Sequence, residues 1–160
     1  MLKSFYKNQK GFTKMTKAIE KQNNTAITAS DNEFDIPTGF VNTFDLDTEE
    51  GKTSVLKAYN AAEPLNNHVD EVIKVCDVMT TPGIRKGRNG MPDAPCQNTY
   101  LIDIDGNAYF SQSDGVARSL QMFVALYPDM GKSSEKGYVE LKCIEQTMNS
   151  GNTLKTLIPA

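Results

Sequence analysis

Paired carboxylates come closest to a catalytic or metal-binding pattern in this sequence. Asp103 and Asp105 stand in the run DIDG, which ends at Gly106, and Asp45 and Asp47 stand in the run DLD. A calcium loop of the EF-hand type needs further oxygen ligands at fixed spacing and a later glutamate, which neither run supplies. An Asp-Gly pair between two alternating apolar segments instead predicts a hairpin turn. We interpret both runs as turns, with a nuclease-like metal site as the less favoured alternative.

Nucleophiles and soft metal ligands are sparse. The chain has one histidine, His68, which we expect in a solvated loop, and three widely spaced cysteines. A structural zinc site needs about four clustered cysteine or histidine ligands, and the sequence has no GxSxG or GxxxxGK[ST] motif. Cys76 and Cys143 fall in strand-like segments and are interpreted as apolar fillers, whereas Cys96 is expected as an exposed loop thiol. We predict a non-enzymatic protein without metal or cofactor, in a reducing cytoplasm.

Aromatic and basic side chains occur together along the apolar segments in a way that suits nucleic-acid binding. Neighbours on a strand face opposite sides, so one of Tyr109 and Phe110 must point away from the core. Base–aromatic stacking contributes about 1–3 kcal/mol per base and tolerates any base, and nearby cations contact phosphates. The alternative is that every ring packs in the core. The candidate rings are Phe44, Tyr59, Tyr100, Tyr109, Phe110 and Tyr138, and the candidate cations are Arg85, Lys86, Arg88, Lys52 and Lys57.

Charge is unevenly spread along the 160 residues. Residues 1–24 carry six lysines and one glutamate, a net +5, which leaves −8 on the rest of a chain whose formal charge is −3. The lysine spacing would place all six on one face of a helix, and residues 22–33 have the composition of a flexible linker. We predict a basic N-terminal arm and linker over residues 1–33 and one globular domain over residues 34–160. The arm could bind nucleic acid or a partner, or join copies in a homo-oligomer, and the alternative is that it only aids solubility.

The elements that must position these side chains are mainly β. Alternating or β-branched segments predict strands at residues 40–46, 54–59, 69–79, 99–103, 108–112, 138–147 and 153–158. At residues 54–59 the Ala- and Glu-rich flanks leave a helix as the alternative. Residues 47–51 are predicted as a turn, and residues 80–98 as a long irregular loop. Ser113 is placed to cap an amphipathic helix that runs to about Leu126. The pattern predicts an α+β protein with an OB-like small barrel or curved sheet of six to seven strands, mainly antiparallel, and one helix late in the chain.

Several local patterns follow one another along residues 42–158. They are FDLDTEEGKTSVLKAYNA, VIKVCDV, YLIDIDGNAYFSQSDGVARSLQMFVAL, YVELKCIEQT and NTLKTLI. In this order they resemble the single-stranded DNA-binding proteins of small phages that replicate by protein priming. The resemblance implies an OB-like fold, no enzymatic activity and the coating of displaced strands, with bases stacked on Tyr59, Tyr100 and Tyr109. The arm at residues 1–24 and the loop at residues 80–98 depart from that family.

These observations together predict a sequence-nonspecific single-stranded DNA-binding protein. We expect it to be encoded by a phage or mobile element and to act during replication in the host bacterial cytoplasm. One alternative is a protein-interaction module whose acidic body binds a host protein. Another is a structural or assembly protein. We expect neither a membrane nor a small-molecule substrate as a partner, since no apolar run approaches the ~20 residues of a membrane span.

Overall fold

The computed structural model describes residues 41–160, which belong to one compact unit. The arm and linker predicted at residues 1–33 lie outside the described residues. No helix in the described part is long and apolar enough to cross a membrane. In chain order the elements are α1 (Glu49–Ala61), β1 (Glu63–Pro64), a 3-10 turn (Leu65–His68), β2 (Val72–Arg85), β3 (Ala94–Asp103), β4 (Ala108–Ser111), α2 (Asp114–Leu126), β5 (Val139–Thr147) and β6 (Thr153–Pro159).

Six strands form one curled, half-barrel sheet in the order β1-β4-β3-β2-β5-β6. Neighbouring strands are antiparallel except β1 and β4, which run parallel. The β2–β3 ladder shifts register between Val75 and Asp77, and a bulge of this kind increases local twist. The predicted α+β class, with a mainly antiparallel, OB-like curved sheet, is confirmed.

Helix α2 covers one face of the sheet and encloses the main core. Val116, Leu120 and Phe123 recur at helical spacing and are buried. They belong to one cluster with buried residues of the sheet and its connections, namely Leu65, Ile73, Val75, Val78, Leu101, Met130, Leu141, Cys143 and Leu157. Ser113 occupies the N-cap position and the helix ends at Leu126, so the predicted bounds of this helix are confirmed.

Serine side chains of α2 also cover the open edge of β6. The Ser113 hydroxyl donates a hydrogen bond to the Lys155 carbonyl at 3.1 Å. The Ser119 hydroxyl oxygen accepts a hydrogen bond from the Leu157 N–H at 2.9 Å. Backbone groups that an edge strand would otherwise leave unpaired are therefore satisfied by the helix.

The second helix, α1, covers the opposite face of the sheet. The turn predicted at residues 47–51 and the strand predicted at 54–59 are both wrong here. Thr48 caps the helix, because its hydroxyl oxygen accepts a hydrogen bond from the Gly51 N–H at 3.1 Å, and two glutamates occupy the first turn. Ala58 is buried on this helix, and its stripe packs against a second cluster of buried residues, namely Phe44, Met79, Tyr100, Ile102 and Ala108. A helix forms because this stripe covers a sheet face that would otherwise be exposed.

The stretch predicted as a long irregular loop, residues 80–98, is mostly a β-hairpin. Strand β2 continues to Arg85, and β3 begins at Ala94, its register partner. Only residues 86–93, here named the tip, lie outside the ladder, and every one of them is exposed.

The tip turns at Asn89 and Gly90, whose φ values are 54° and 80°. The Met91 N–H donates to the Arg88 carbonyl at 3.1 Å. Positive φ at both central residues defines a type I′ turn, for which Asn-Gly is a preferred pair. The dipeptide was therefore the sequence signal that could have located this hairpin.

Two smaller predictions also need correction. Of the described residues in the strand predicted at 40–46, Asn42 alone forms a β-bridge, to Met79. Cys96, predicted as an exposed loop thiol, is buried within β3, and burial raises its pKa. Cys76 and Cys143 lie within β2 and β5, as predicted.

Candidate nucleic-acid interface

Three of the predicted aromatic residues form one cluster on the sheet face beside α1. Tyr100 and Phe110 are cross-strand partners on β3 and β4, and their ring centroids are 5.3 Å apart. Tyr59, on α1 rather than on a strand, lies 5.9 Å from Tyr100 between ring centroids. Tyr59 is 59% exposed, Phe110 is half-buried and Tyr100 is only 5% exposed. A ligand can therefore reach Tyr59 and part of Phe110, while Tyr100 supports both rings.

Tyr109 lies on the other face of the sheet. Strand alternation turns its ring toward the main core, where its centroid is 4.9 Å from that of His68 in an edge-on contact. Its hydroxyl donates to Asp103 Oδ2 at 2.9 Å. Burial, this hydrogen bond and neighbouring carboxylates raise the pKa of Tyr109 to about 12. The structure thus separates Tyr109 from the cluster of Tyr59, Tyr100 and Phe110.

The DIDG run forms the predicted hairpin turn, in which Asp103 is the central acceptor. Its carboxylate accepts bonds of 2.9 Å from the Asp105 N–H, the Asn107 N–H, the Asn107 side-chain amide and the Tyr109 hydroxyl. Burial alone would raise the pKa of Asp103, but these hydrogen bonds outweigh it and hold the pKa below its ordinary value. Within residues 41–160, no three His, Cys, Asp or Glu side chains are grouped so that they could hold a metal ion.

A polar strip continues the aromatic cluster toward the hairpin. Asn98 lies two residues before Tyr100 and so shares its face of β3. Its Oδ1 accepts a hydrogen bond from Gln112 Nε2 at 3.0 Å. Gln112 Nε2 also reaches the Ile84 carbonyl at 3.4 Å, which ties the end of β4 to the hairpin. The sequence did not reveal this pair, because an Asn and a Gln 14 positions apart form no motif.

Three of the predicted cations stand at or beside the tip. Arg85 Nη2 contacts both carboxylate oxygens of Asp114 at 2.9 and 3.1 Å, and Lys86 Nζ lies 2.7 Å from Asp93 Oδ2. Arg88 is exposed and forms no ion pair with any residue that the structure describes. An exposed ion pair such as Lys86–Asp93 contributes at most about 1 kcal/mol, so a phosphate can replace Asp93, whereas the Arg85–Asp114 pair is partly buried.

The remaining two predicted cations lie on α1. Lys52 stands two helical turns before Tyr59, which places both on the outer stripe of the helix. Its Nζ is 2.7 Å from Glu49 Oε1. Lys57 is exposed and forms no ion pair within the described part of the chain.

Asp93 holds the tip in its turn. Its carboxylate accepts hydrogen bonds from Lys86 Nζ at 2.7 Å and from the Gly87 N–H at 2.9 Å, and both keep the pKa of Asp93 below its ordinary value. Gly87 has no room for a Cβ atom beside the Met91 carbonyl. The tip therefore presents Arg88 and Met91 from a defined turn.

Charge on the described residues is negative overall but locally positive at the hairpin. Residues 41–160 hold 11 lysines and arginines against 16 acidic residues, a net −5. Four of the acids, Asp45, Asp47, Glu49 and Glu50, stand at the start of α1. The three cations of residues 85–93 stand against two carboxylates, Asp93 in the same segment and Asp114 beside Arg85. A polyanion would accordingly meet an attractive field at the tip and a repulsive one at the start of α1.

No protein-family model, curated protein or solved structure matches this chain. The resemblance to phage single-stranded DNA-binding proteins therefore rests on the pattern of residues 42–158 itself and stays a prediction.

Proposed function

We propose that this protein binds single-stranded DNA without sequence preference, through the face of β2, β3 and β4 beside α1. The observation that carries the proposal is the exposed Tyr59 ring, which contacts Tyr100 beside Phe110 on the face that leads to the basic tip. Aromatic rings stack on any base, and cations beside them attract the phosphates. Tyr59 and Phe110 would contact bases, and Arg85, Lys86 and Arg88 would contact phosphates.

The dimensions of this face suit a short single strand. From Tyr100 to Ala94 the chain of β3 extends about 20 Å at 3.3–3.4 Å per residue. Binding sites of several nucleotides per domain are usual for proteins that combine stacking with a basic groove. The polar strip at Asn98 and Gln112 lies between the rings and the tip and offers amide groups to sugars and base edges.

The biological setting in the proposal comes from the resemblance alone. It suggests a phage or mobile-element protein of the bacterial cytoplasm that coats displaced strands during replication. Base stacking and phosphate contacts are possible with both DNA and RNA. The preference of the protein for one of the two must therefore be measured with both polymers.

The first experiment is fluorescence anisotropy with a labelled oligo-dT of about thirty nucleotides, a length that exceeds one binding site. We expect binding at low salt that weakens as salt rises, and little binding to a duplex of equal length. An oligo-rU of the same length measures the RNA preference. Absence of binding at low salt would remove the proposal.

Two variants locate the interface. Tyr59→Ala should weaken binding about tenfold, since stacking of one base contributes about 1–3 kcal/mol. Arg88→Ala should weaken binding and reduce the salt slope by about one. The matched controls are Tyr127→Ala, which removes an exposed tyrosine at the end of α2, and Lys136→Ala. Equal effects of variants and controls would place the interface elsewhere.

A second candidate function is binding to another protein through the outer face of α2. Met122 and Leu126, one helical turn apart, are 65% and 70% exposed, and Tyr127 beside them is 46% exposed. Exposed apolar side chains that form a stripe are typical of interaction surfaces. The double variant Met122→Glu with Leu126→Glu should leave oligonucleotide binding unchanged and abolish capture of a protein partner from host lysate.

A further inference from the structure

The single histidine of the chain stands between two glutamates. His68, predicted in a solvated loop, ends the 3-10 turn, and its side chain is only 23% exposed. Its Nδ1 lies 2.7 Å from Glu71 Oε2, and its Nε2 lies 3.2 Å from Glu63 Oε2. The Tyr109 ring also packs against the imidazole ring, in an edge-on contact with 4.9 Å between the ring centroids.

Only the protonated ring satisfies both contacts. A neutral imidazole donates from one nitrogen and presents a lone pair at the other, whereas an imidazolium donates from both. With a carboxylate at each nitrogen, loss of the proton leaves one glutamate facing a lone pair. The hydrogen bond to Glu71 is the main cause that raises the pKa of His68, burial opposes it, and the bond to Glu63 adds to the rise.

Glu63 begins a short strap, residues 63–68, made of β1 and the 3-10 turn, and Glu71 follows its end. Within the strap, β1 pairs with the edge of β4 over only two residues. Leu65 fills the main core at 1% exposure. The connection to β2 is held by the Asp70 N–H, which donates to the Cys143 carbonyl at 2.8 Å, and by the Glu71 N–H, which donates to the His68 carbonyl at 3.2 Å.

We propose that His68 is a proton-operated latch, whose imidazolium ties Glu63 at the start of the strap to Glu71 beyond its end, and whose deprotonation loosens the strap and uncovers the β4 edge. The groups that face the ring are Glu63 on β1, Glu71 before β2 and Tyr109 on β4, with Asp103 behind the Tyr109 hydroxyl. No lysine or arginine among the described residues pairs with these glutamates. The inference does not depend on nucleic-acid binding.

The sign of the effect follows from the direction of the shift. Because the folded protein favours the charged ring, the stability that the latch contributes is fully present below the unfolded pKa of about 6.5. It is lost as pH rises through the folded pKa of His68. The strap should therefore be closed in mild acid and loosened in mild alkali.

The first test is a proton NMR titration of the His68 ring, which needs no assignment because the chain has one histidine. We expect a midpoint above that of a free histidine, and a lower midpoint in Glu71→Gln and in Glu63→Gln. Both glutamates are more than half exposed, so these variants should fold. A midpoint that neither variant moves would overturn the latch.

The second test follows the strap by amide hydrogen exchange, with protection factors corrected for the intrinsic pH dependence of exchange. We expect protection of Asp70, Glu71 and β4 to fall several-fold when pH rises across the His68 midpoint, and His68→Gln to abolish this pH dependence. The Tyr127 N–H, bonded to the Phe123 carbonyl in α2, is the internal reference. If the protection of Asp70, Glu71 and β4 changes with pH in the same way as that of the reference amide, the proposal is contradicted.

Discussion

Asp103 organises the β3–β4 turn because its two carboxylate oxygens accept four hydrogen bonds from residues that follow it. Three come from Asp105 and Asn107, and the fourth comes from the Tyr109 hydroxyl on the next strand. A carboxylate so well supplied with donors favours its ionised form. The same contact fixes the Tyr109 ring against His68, so one side chain links the turn to the strap.

Tyr109→Phe tests this contact at the residue scale. Loss of the hydroxyl should lower the free energy of unfolding by about 1.5 kcal/mol, as expected for a hydrogen bond to a charged group, while the ring remains packed. The pKa of Asp103 is lowered in the folded state, so its stabilisation is present above an unfolded pKa of about 3.9 and is lost as pH falls through the folded pKa. Urea unfolding at the two pH values measures this effect. The difference in the free energy of unfolding between Tyr109→Phe and the parent protein should be smaller in acid than near neutral pH.

Tyr138→Phe is the matched control for Tyr109→Phe. Tyr138 is half-buried, and its ring lies 5.4 Å from Lys74 Nζ, but its hydroxyl bonds to none of the described residues. It should unfold like the parent protein. Equal destabilisation by both variants would show that the Asp103 contact contributes nothing specific.

At the scale of elements, α2 is positioned by a close approach to β6. Gly115 in its first turn leaves no room for a Cβ atom beside the Lys155 carbonyl and the Leu154 side chain. The hydroxyls of Ser113 and Ser119 bond to β6 on either side of this point. The helix therefore meets the strand backbone directly, rather than through a layer of side chains.

Gly115→Ala distinguishes this packing from helix propensity. Propensity alone predicts a gain of about 1 kcal/mol for Gly→Ala in a helix. The contact with β6 instead predicts a loss of about 1–3 kcal/mol, because backbone atoms must separate. Thermal and urea unfolding give the sign, and faster amide exchange at Leu157 should accompany the loss. A stabilised variant would mean that the helix can move away from β6 at no cost.

Local signals predicted the elements from the β3–β4 turn to the C-terminus. The Asp-Gly turn, the Ser113 cap and the alternation in β5 and β6 each act within a few residues, and the structure retains all of them. Helix α1 was predicted as a short strand at SVLKAY, with a helix left as the alternative because of its Ala- and Glu-rich flanks. The start signal, Thr48 followed by two glutamates, was present in the sequence, and it describes the N-terminus of a helix.

The candidate site was less predictable because it depends on which sheet face α1 covers. Strand alternation indicated that Tyr109 and Phe110 face opposite sides, but it could not tell which side was enclosed. Tyr100 is buried because α1 and Phe110 lie over it, a contact between segments about forty residues apart in sequence. Tyr59 is exposed because it lies on the outer stripe of a helix. Tyr59, Tyr100 and Phe110 are therefore near one another but differ in exposure, whereas Tyr109 lies on the other face of the sheet.

At the scale of the whole molecule, charge separates the N-terminal segment from the rest. Residues 1–24 contribute +5 to a chain of formal charge −3, and without them the protein carries −8. The long-range attraction for a polyanion must then come from the tip and from the N-terminal lysines, against a negative background.

Deletion of residues 1–24 should weaken binding of oligo-dT and make its salt dependence shallower, because fewer counterions are released. Anisotropy titrations at several salt concentrations measure both quantities. Replacement of the six lysines by glutamine in the full-length chain keeps the length and removes the charge, and should have a similar effect. Unchanged affinity in both variants would assign the segment another role, and sedimentation would then test whether it joins copies of the chain.

The two edges of the sheet are closed by unequal means. At β6, hydroxyl groups of α2 occupy backbone positions that a further strand would need. At β4, the two residues of β1 are all that stands in the way among residues 41–160, and His68 contacts one of them, Glu63. A strand from another molecule could therefore be added at one edge alone. Association by strand pairing would stop at a two-fold symmetric pair, because an open filament requires two complementary edges on every subunit.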